Sequence, residues 1–290
     1  MTLSDWLIVP FADYGFMRRA LVGIIALAFS AGPVGVFLTL RRMSLVGDAM
    51  AHAILPGAAL GYLVGGLSLG FMTAGGLIAG FVVALLAGAL TRVSVLREDA
   101  SLASFYLISL AGGVVLLSVK GSNLDLLHVL FGSVLGLDDP TLFLLVSASS
   151  LSLLTLAIIF RPLVLECVDP EFLRTVQGQG GRVHLVFLAL LTLNLVIGFQ
   201  ALGTLLAVGL MMLPAIAARF FSRQIGPMMA MATLIGLVAG VAGLLVSYHG
   251  GLPAGPAIIL TAGVILLLSI LFGPQDGLIT SRLPRPHLEN

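Results

Sequence analysis

Apolar residues run through this chain in long blocks, and polar residues gather in the gaps between them. The blocks cover residues 20–40, 43–65, 70–91, 101–119, 140–160, 183–200, 202–219, 227–248 and 254–273. A bilayer core of about 30 Å is crossed by about 20 apolar residues in a helix. Lipid supplies no hydrogen bonds, so a spanning segment must satisfy its own backbone, and a helix does so. The pattern predicts an all-α, polytopic integral membrane protein with about nine transmembrane helices. The blocks 183–200 and 202–219 share only the turn "FQALG", and merging them leaves eight. Stretch 124–137, "LDLLHVLFGSVLGL", is apolar but too short to span, and is expected as a short re-entrant or interfacial helix.

The arginines orient this bundle. With the 161–182 loop placed in the cytoplasm and nine spans alternating outward, Arg41, Arg42, Arg92, Arg97, Arg161, Arg174, Arg182, Arg219, Arg223, Arg282 and Arg285 fall inside. Arg18, Arg19 and Lys120 fall outside. Positive charge is retained on the cytoplasmic side, so residues 1–19 are expected as an extracytoplasmic segment, 20–273 as the transmembrane domain and 274–290 as a cytoplasmic tail. The pair Arg18–Arg19 is the one feature against this choice.

Composition agrees with the pattern. The chain of 290 residues is 59% hydrophobic and 9% charged, against about 25% charge in a soluble domain. A net charge of +1 without a dense basic patch gives no nucleic-acid surface. The single Cys167 forbids an intrachain disulfide or a cysteine-based metal cluster. Residues 1–19 contain no apolar core of a cleavable signal peptide. No phosphate loop of the form GxxxxGK[ST] occurs, so energised work requires ATP hydrolysis in another chain. Glycines recur four apart at Gly57, Gly61 and Gly65, at Gly76 and Gly80, and at Gly236 and Gly240. Small residues at that spacing let membrane helices approach closely.

One block carries chemistry. In "RRMSLVGDAMAHAILPGAALGYLVGG", residues 41–66, Asp48 and His52 stand one helical turn apart and face the same way. Ser44 and Pro56 continue the stripe, and Pro56 has no N–H to offer the His52 carbonyl. Ionisable groups inside a membrane are expensive, about 3 kcal/mol by insertion scales, and commonly mark a pathway. A carboxylate oxygen and a neutral imidazole nitrogen make half a site for Zn²⁺ or Mn²⁺. The competing reading is a structural hydrogen-bonded pair pinning two helices.

The wider sequence favours the metal reading. The chain resembles the membrane permeases of zinc/manganese-type ABC importers. The stretch after the first span matches that family's GDAxxHAxLPG signature. Three further matches follow in order: "LFGSVLGLDDPTL" at 130–142, "GTLLAVGLMMLPAIAARFFSR" at 203–223 and "YHGGLPAGPAIIL" at 248–260. The last two also resemble cobalamin and iron-siderophore importers, whose permeases lack the Asp/His pair. The resemblance implies a bacterial cytoplasmic (inner) membrane protein that works as a homodimer. Its implied partners are cytoplasmic ATP-binding subunits and an extracytoplasmic metal-binding protein. It implies no enzymatic activity in this chain and no permanently bound cofactor. Asp48 and His52 would be transient ligands of the transported ion, and the segment carrying Pro214, Ala215, Arg219 and Arg223 would couple to the ATPase.

Other polar residues carry two readings each. Asp125 and His128, three apart on the outer side, are candidates to receive the ion, or a solvated face. His249 reads as exposed in an outer turn, and His184 and His287 as solvated on the inner side. Asn194 and Gln200 read as interhelical hydrogen-bonding groups, and Met211 and Met212 as packing. The segment 169–178, "DPEFLRTVQG", reads as an amphipathic cytoplasmic surface helix. Zinc is the preferred cargo on this reading, with manganese or iron as alternatives, since Asp and His serve all of them. The other function classes are a metal-chelate permease with a structural Asp48/His52 pair, and a proton-coupled carrier; no internal inverted repeat of the kind common in such carriers is evident. No HExxH or nucleophile–base arrangement points to an intramembrane enzyme.

Overall fold

The computed structural model describes residues 6–43, 46–66, 68–93, 98–120, 134–169 and 180–280. Ten α-helices lie among them. A short α1 (Val9–Asp13) precedes nine long helices: α2 (Gly15–Leu40), α3 (Val46–Gly65), α4 (Leu69–Val93), α5 (Glu98–Lys120), α6 (Asp139–Val168), α7 (Gly180–Leu202), α8 (Thr204–Ala218), α9 (Ile225–Gly250) and α10 (Ala254–Phe272). The nine occupy the nine apolar blocks. Six of them, α2, α4, α6, α7, α9 and α10, are long and apolar enough to cross a bilayer by themselves. The apolar stretches of α5 and α8 are shorter, and α3 is interrupted by Asp48 and His52.

Two boundaries differ from expectation. The expected loop 161–182 is partly helix: α6 runs on through Pro162 to Val168, and α7 starts at Gly180. Pro162 lacks an N–H, but so few backbone partners are lost that the helix continues, as prolines in membrane helices commonly allow. The "FQALG" turn does separate two helices. Gly203 has φ of 94° and sits alone between α7 and α8. A side chain is strained in that left-handed region, so glycine alone reverses the chain there within one residue. Of the helix expected at 124–137, residues 124–133 lie outside the described residues and Val134–Gly136 form a single 3₁₀ turn; residues 170–178 of segment 169–178 also lie outside them.

Helices α2 and α7 form the interior, and most of their length is buried. On one side α3, α4 and α5 pack on one another, and on the other α8, α9 and α10 do the same. Helix α6 covers α2 and α7. The glycine spacing decides who touches whom. A Cβ on Gly57 would strike the carbonyl of Gly75, and one on Gly61 the carbonyl of Phe71, so α3 and α4 meet backbone to backbone. Gly240 of α9 instead receives the Ile24 side chain of α2.

The helices alternate in direction, which sorts the charges. Arg41, Arg42, Arg182, Arg219 and Arg223 gather at one end of the bundle, and Trp6, Tyr14, Arg19 and His249 at the other. The outlying Arg19 is compensated there: its Nη1 lies 3.3 Å from Asp139 Oδ1.

Candidate functional site

Helix α3 builds the site. Its apolar and small residues Val46, Gly47, Met50, Ala53 and Ile54 face inward and are buried. That leaves the stripe of Asp48 and His52 on the opposite side. Asp48 Oδ1 and His52 Nε2 are 3.8 Å apart, with 67% and 36% of their side chains exposed. Asp48 lies in the first turn, where the positive end of the helix dipole favours a carboxylate.

Helix α5 frames the pair from one side. The Tyr106 ring stacks on the His52 ring at 6.1 Å between centroids. One turn on, Ser109 Oγ donates to the Ala53 carbonyl at 3.2 Å. Gly113 then lies against the Pro56 ring, with no room for a side chain. Tyr106, Ser109 and Gly113 thus form one face of α5 that grips α3 beside His52. Sequence reasoning passed over Tyr106, whose three-residue spacing to Ser109 was the available signal.

No group of three or more His, Cys, Asp or Glu side chains able to hold a metal ion occurs among the described residues. Asp48 and His52 therefore supply two donors per chain, open on one side. Asp125 and His128 lie outside the described residues, as do Ser44 and His287.

The second candidate group divides in two. Pro214 and Ala215 belong to the buried body of α8, with Ala215 packed among Val36, Ala218, Met228 and Ala232. Helix α8 continues through Pro214 to Ala218, and a turn follows. Only Arg219 and Arg223 face outward. They flank a cavity of about 470 Å³ bordered by Leu40, Phe220, Met228 and Asp276. Arg223 Nη2 donates to Asp276 Oδ1 at 2.9 Å, and the Gln275 amide donates to the Phe220 carbonyl at 3.0 Å. The segment after α10 thereby braces the turn after α8.

The remaining polar residues resolve as follows. Asn194 Nδ2 donates to Ser152 Oγ at 2.9 Å, and Thr73 Oγ1 to Gln200 Oε1 at 2.6 Å, both between helices as expected. Met211 and Met212 are buried packing residues, and His249 is exposed and stacked on Trp6. His184 departs from expectation. It is not solvated: Arg41 Nη2 donates to its Nδ1 at 2.8 Å, in a nearly buried cluster with Glu166. Glu166, hidden in the apolar run "PLVLECV", drew no attention in the sequence.

A profile described as the ABC 3 transport family matches residues 13–273. The chain belongs to the ABC 3 transport family. It is a permease of the zinc/manganese-type ABC metal-ion importers. A relative named manganese import system permease protein ScaB, from Streptococcus parasanguinis, is 33% identical over 267 residues, 91% of this chain and 93% of that one. A relative named chelated iron transport system membrane protein YfeD, from Yersinia pestis, is 30% identical, covering 91% of this chain and 87% of that one. A solved structure of PsaBC from Streptococcus pneumoniae in complex with Fab superposes with a TM-score of 0.82. It is 31% identical and covers 95% of this chain and 98% of that one. The names of these two relatives cite manganese and chelated iron, so they give no support to the sequence preference for zinc. Membership of the ABC 3 transport family also displaces the proton-coupled carrier.

Proposed function

We propose that two copies of this chain form the membrane pathway of a manganese(II) importer, and that Asp48 and His52 bind the ion in passing. The exposed Asp48–His52 stripe carries this reading. A carboxylate left open on an apolar helix is expensive in lipid, so that face needs a polar cover. A second copy meeting the first about a two-fold axis beside α3 brings its own Asp48 and His52 and doubles the donors from two to four. Two of the donors are hard carboxylate oxygens, which suit Mn²⁺. The name of the Streptococcus parasanguinis relative favours the same ion. An iron cargo is the second reading, favoured by the name of the Yersinia pestis relative. Both accept the same ligands.

In this reading the nine long helices all cross the bacterial inner membrane, with the N-terminus outside and the arginine-rich end in the cytoplasm. ATP is hydrolysed by separate subunits docking at Arg219 and Arg223, and an extracytoplasmic binding protein supplies the ion. Metal binding requires an ionised Asp48 and a neutral His52, so capture releases protons. Uptake of manganese by cells at matched protein levels tests the assignment. Asp48→Asn and His52→Ala each abolish uptake while folding and ATPase assembly survive. Uptake at the wild-type rate in both variants makes the pair structural, and competition between manganese, iron and zinc identifies the cargo.

A further inference from the structure

Helices α4 and α6 both pack on α7 and hardly on each other. Between them runs an open groove of about 340 Å³, with α7 as its floor. Leu77 and Phe81 form one wall, Leu151 the other, and Val186, Ala189 and Leu193 the floor. Two threonines in the lining do not make it polar. Thr155 Oγ1 donates to the Leu151 carbonyl and Thr192 Oγ1 to the Leu188 carbonyl, each at 2.8 Å within its own helix. The groove is chemically a hydrocarbon slot, set in the middle of helices that cross a membrane.

Its floor leads to charge. Arg182, Val186, Ala189 and Leu193 follow one another at three- and four-residue steps, so they share one face of α7. Arg182 therefore stands below the slot at the arginine-rich end. On α6 the exposed positions Leu151, Leu154, Ile158 and Arg161 descend in the same direction. Both arginines are exposed, and neither has an ion pair among the described residues. Basic groups between membrane helices on the positive side recognise anionic lipid headgroups.

We propose that this groove holds one acyl chain of an anionic phospholipid from the leaflet on the arginine-rich side, with the phosphate held by Arg182 and Arg161. A tail in the slot fills the space that α4 and α6 leave beside α7. The occupant is a lipid, because the lining of the slot is apolar and Arg161 and Arg182 lie toward its arginine-rich side, where a headgroup would lie.

The test is native mass spectrometry of the purified, delipidated full chain titrated with phosphatidylglycerol or phosphatidylcholine. The wild type retains phosphatidylglycerol over phosphatidylcholine by on the order of ten-fold, as two arginines at a surface would give. Arg161→Gln with Arg182→Gln removes the preference and leaves weak retention of both lipids. Ala189→Phe, which fills the floor, removes retention of both. Soluble glycerol phosphate does not displace the bound lipid, since it lacks the tail. Equal retention of the two lipids by the wild type overturns the proposal, and that comparison needs no variant to fold. So does displacement by glycerol phosphate, which marks a simple anion site. A change of oligomeric state in Ala189→Phe with unchanged lipid retention also overturns it and assigns the groove to a second copy.

Discussion

Arg41 and Glu166, 125 residues apart in the chain, form an ion pair of 3.1 Å with only 12% and 7% of their side chains exposed. His184 Nδ1 accepts from the same Arg41 nitrogen, and the guanidinium lies over the Phe187 ring at 5.2 Å. The cluster ties the ends of α2, α6 and α7 at the arginine-rich side. These are the two interior helices and the one that covers them.

Removing one member of that cluster strands the others. Glu166→Ala leaves the Arg41 charge buried without its carboxylate, which costs about 3–5 kcal/mol. The double change Arg41→Met with Glu166→Leu costs much less, because no charge is left behind. Thermal unfolding in detergent, followed by size-exclusion, separates the two. A double variant as unstable as the single would show that the loss lies in packing rather than charge.

The backbone contact between α3 and α4 makes Gly57 intolerant. Gly57→Leu pushes a side chain into the Gly75 carbonyl and should destabilise by about 1–3 kcal/mol or more. It also disturbs the helix that carries Asp48, so metal-ion uptake falls with it. Gly263 on α10 faces open space, and Gly263→Leu serves as the neutral control. Equal melting temperatures for the two variants would contradict the close approach.

Arg219 is exposed at the turn after α8, while Pro214 and Ala215 are buried. Arg219→Glu should therefore abolish transport-linked ATPase activity and leave folding and metal binding intact. Ala215→Leu instead acts through the core and lowers stability. Co-purification of the ATPase with each variant is the measurement. An intact, fully coupled complex with Arg219→Glu would place the docking surface elsewhere.

Asp138 caps α6. Bonding from the Thr141 hydroxyl, and from its amide at 3.2 Å, holds the carboxyl below the ordinary range. The folded state thus favours the ionised form. Its contribution is present above the unfolded carboxylate range, near the reference value of 3.8, and fades as pH falls through and below it. Asp138→Ala should lower stability by about 1 kcal/mol at neutral pH. The difference from wild type should shrink in acid, which melting curves across that range would show.

Run length and periodicity along the chain determine where the helices lie, because a membrane helix is decided locally: every backbone group is satisfied within the segment. The same locality put Asp48 and His52 on one face, and the four-residue glycine spacing foretold close helix contacts. Locality also set the limits. Whether α6 stops at Pro162 depends on what packs around it, so the loop between α6 and α7 is shorter than the 161–182 that the sequence predicts. Glu166 and His184 are a stray acid and a surface histidine until Arg41 arrives from the far end of another helix. Tyr106 becomes the neighbour of His52 only when α5 docks on α3. Which side of α3 stays open is set by the helices covering the other side, and that openness is what makes a two-residue half-site into a candidate shared site.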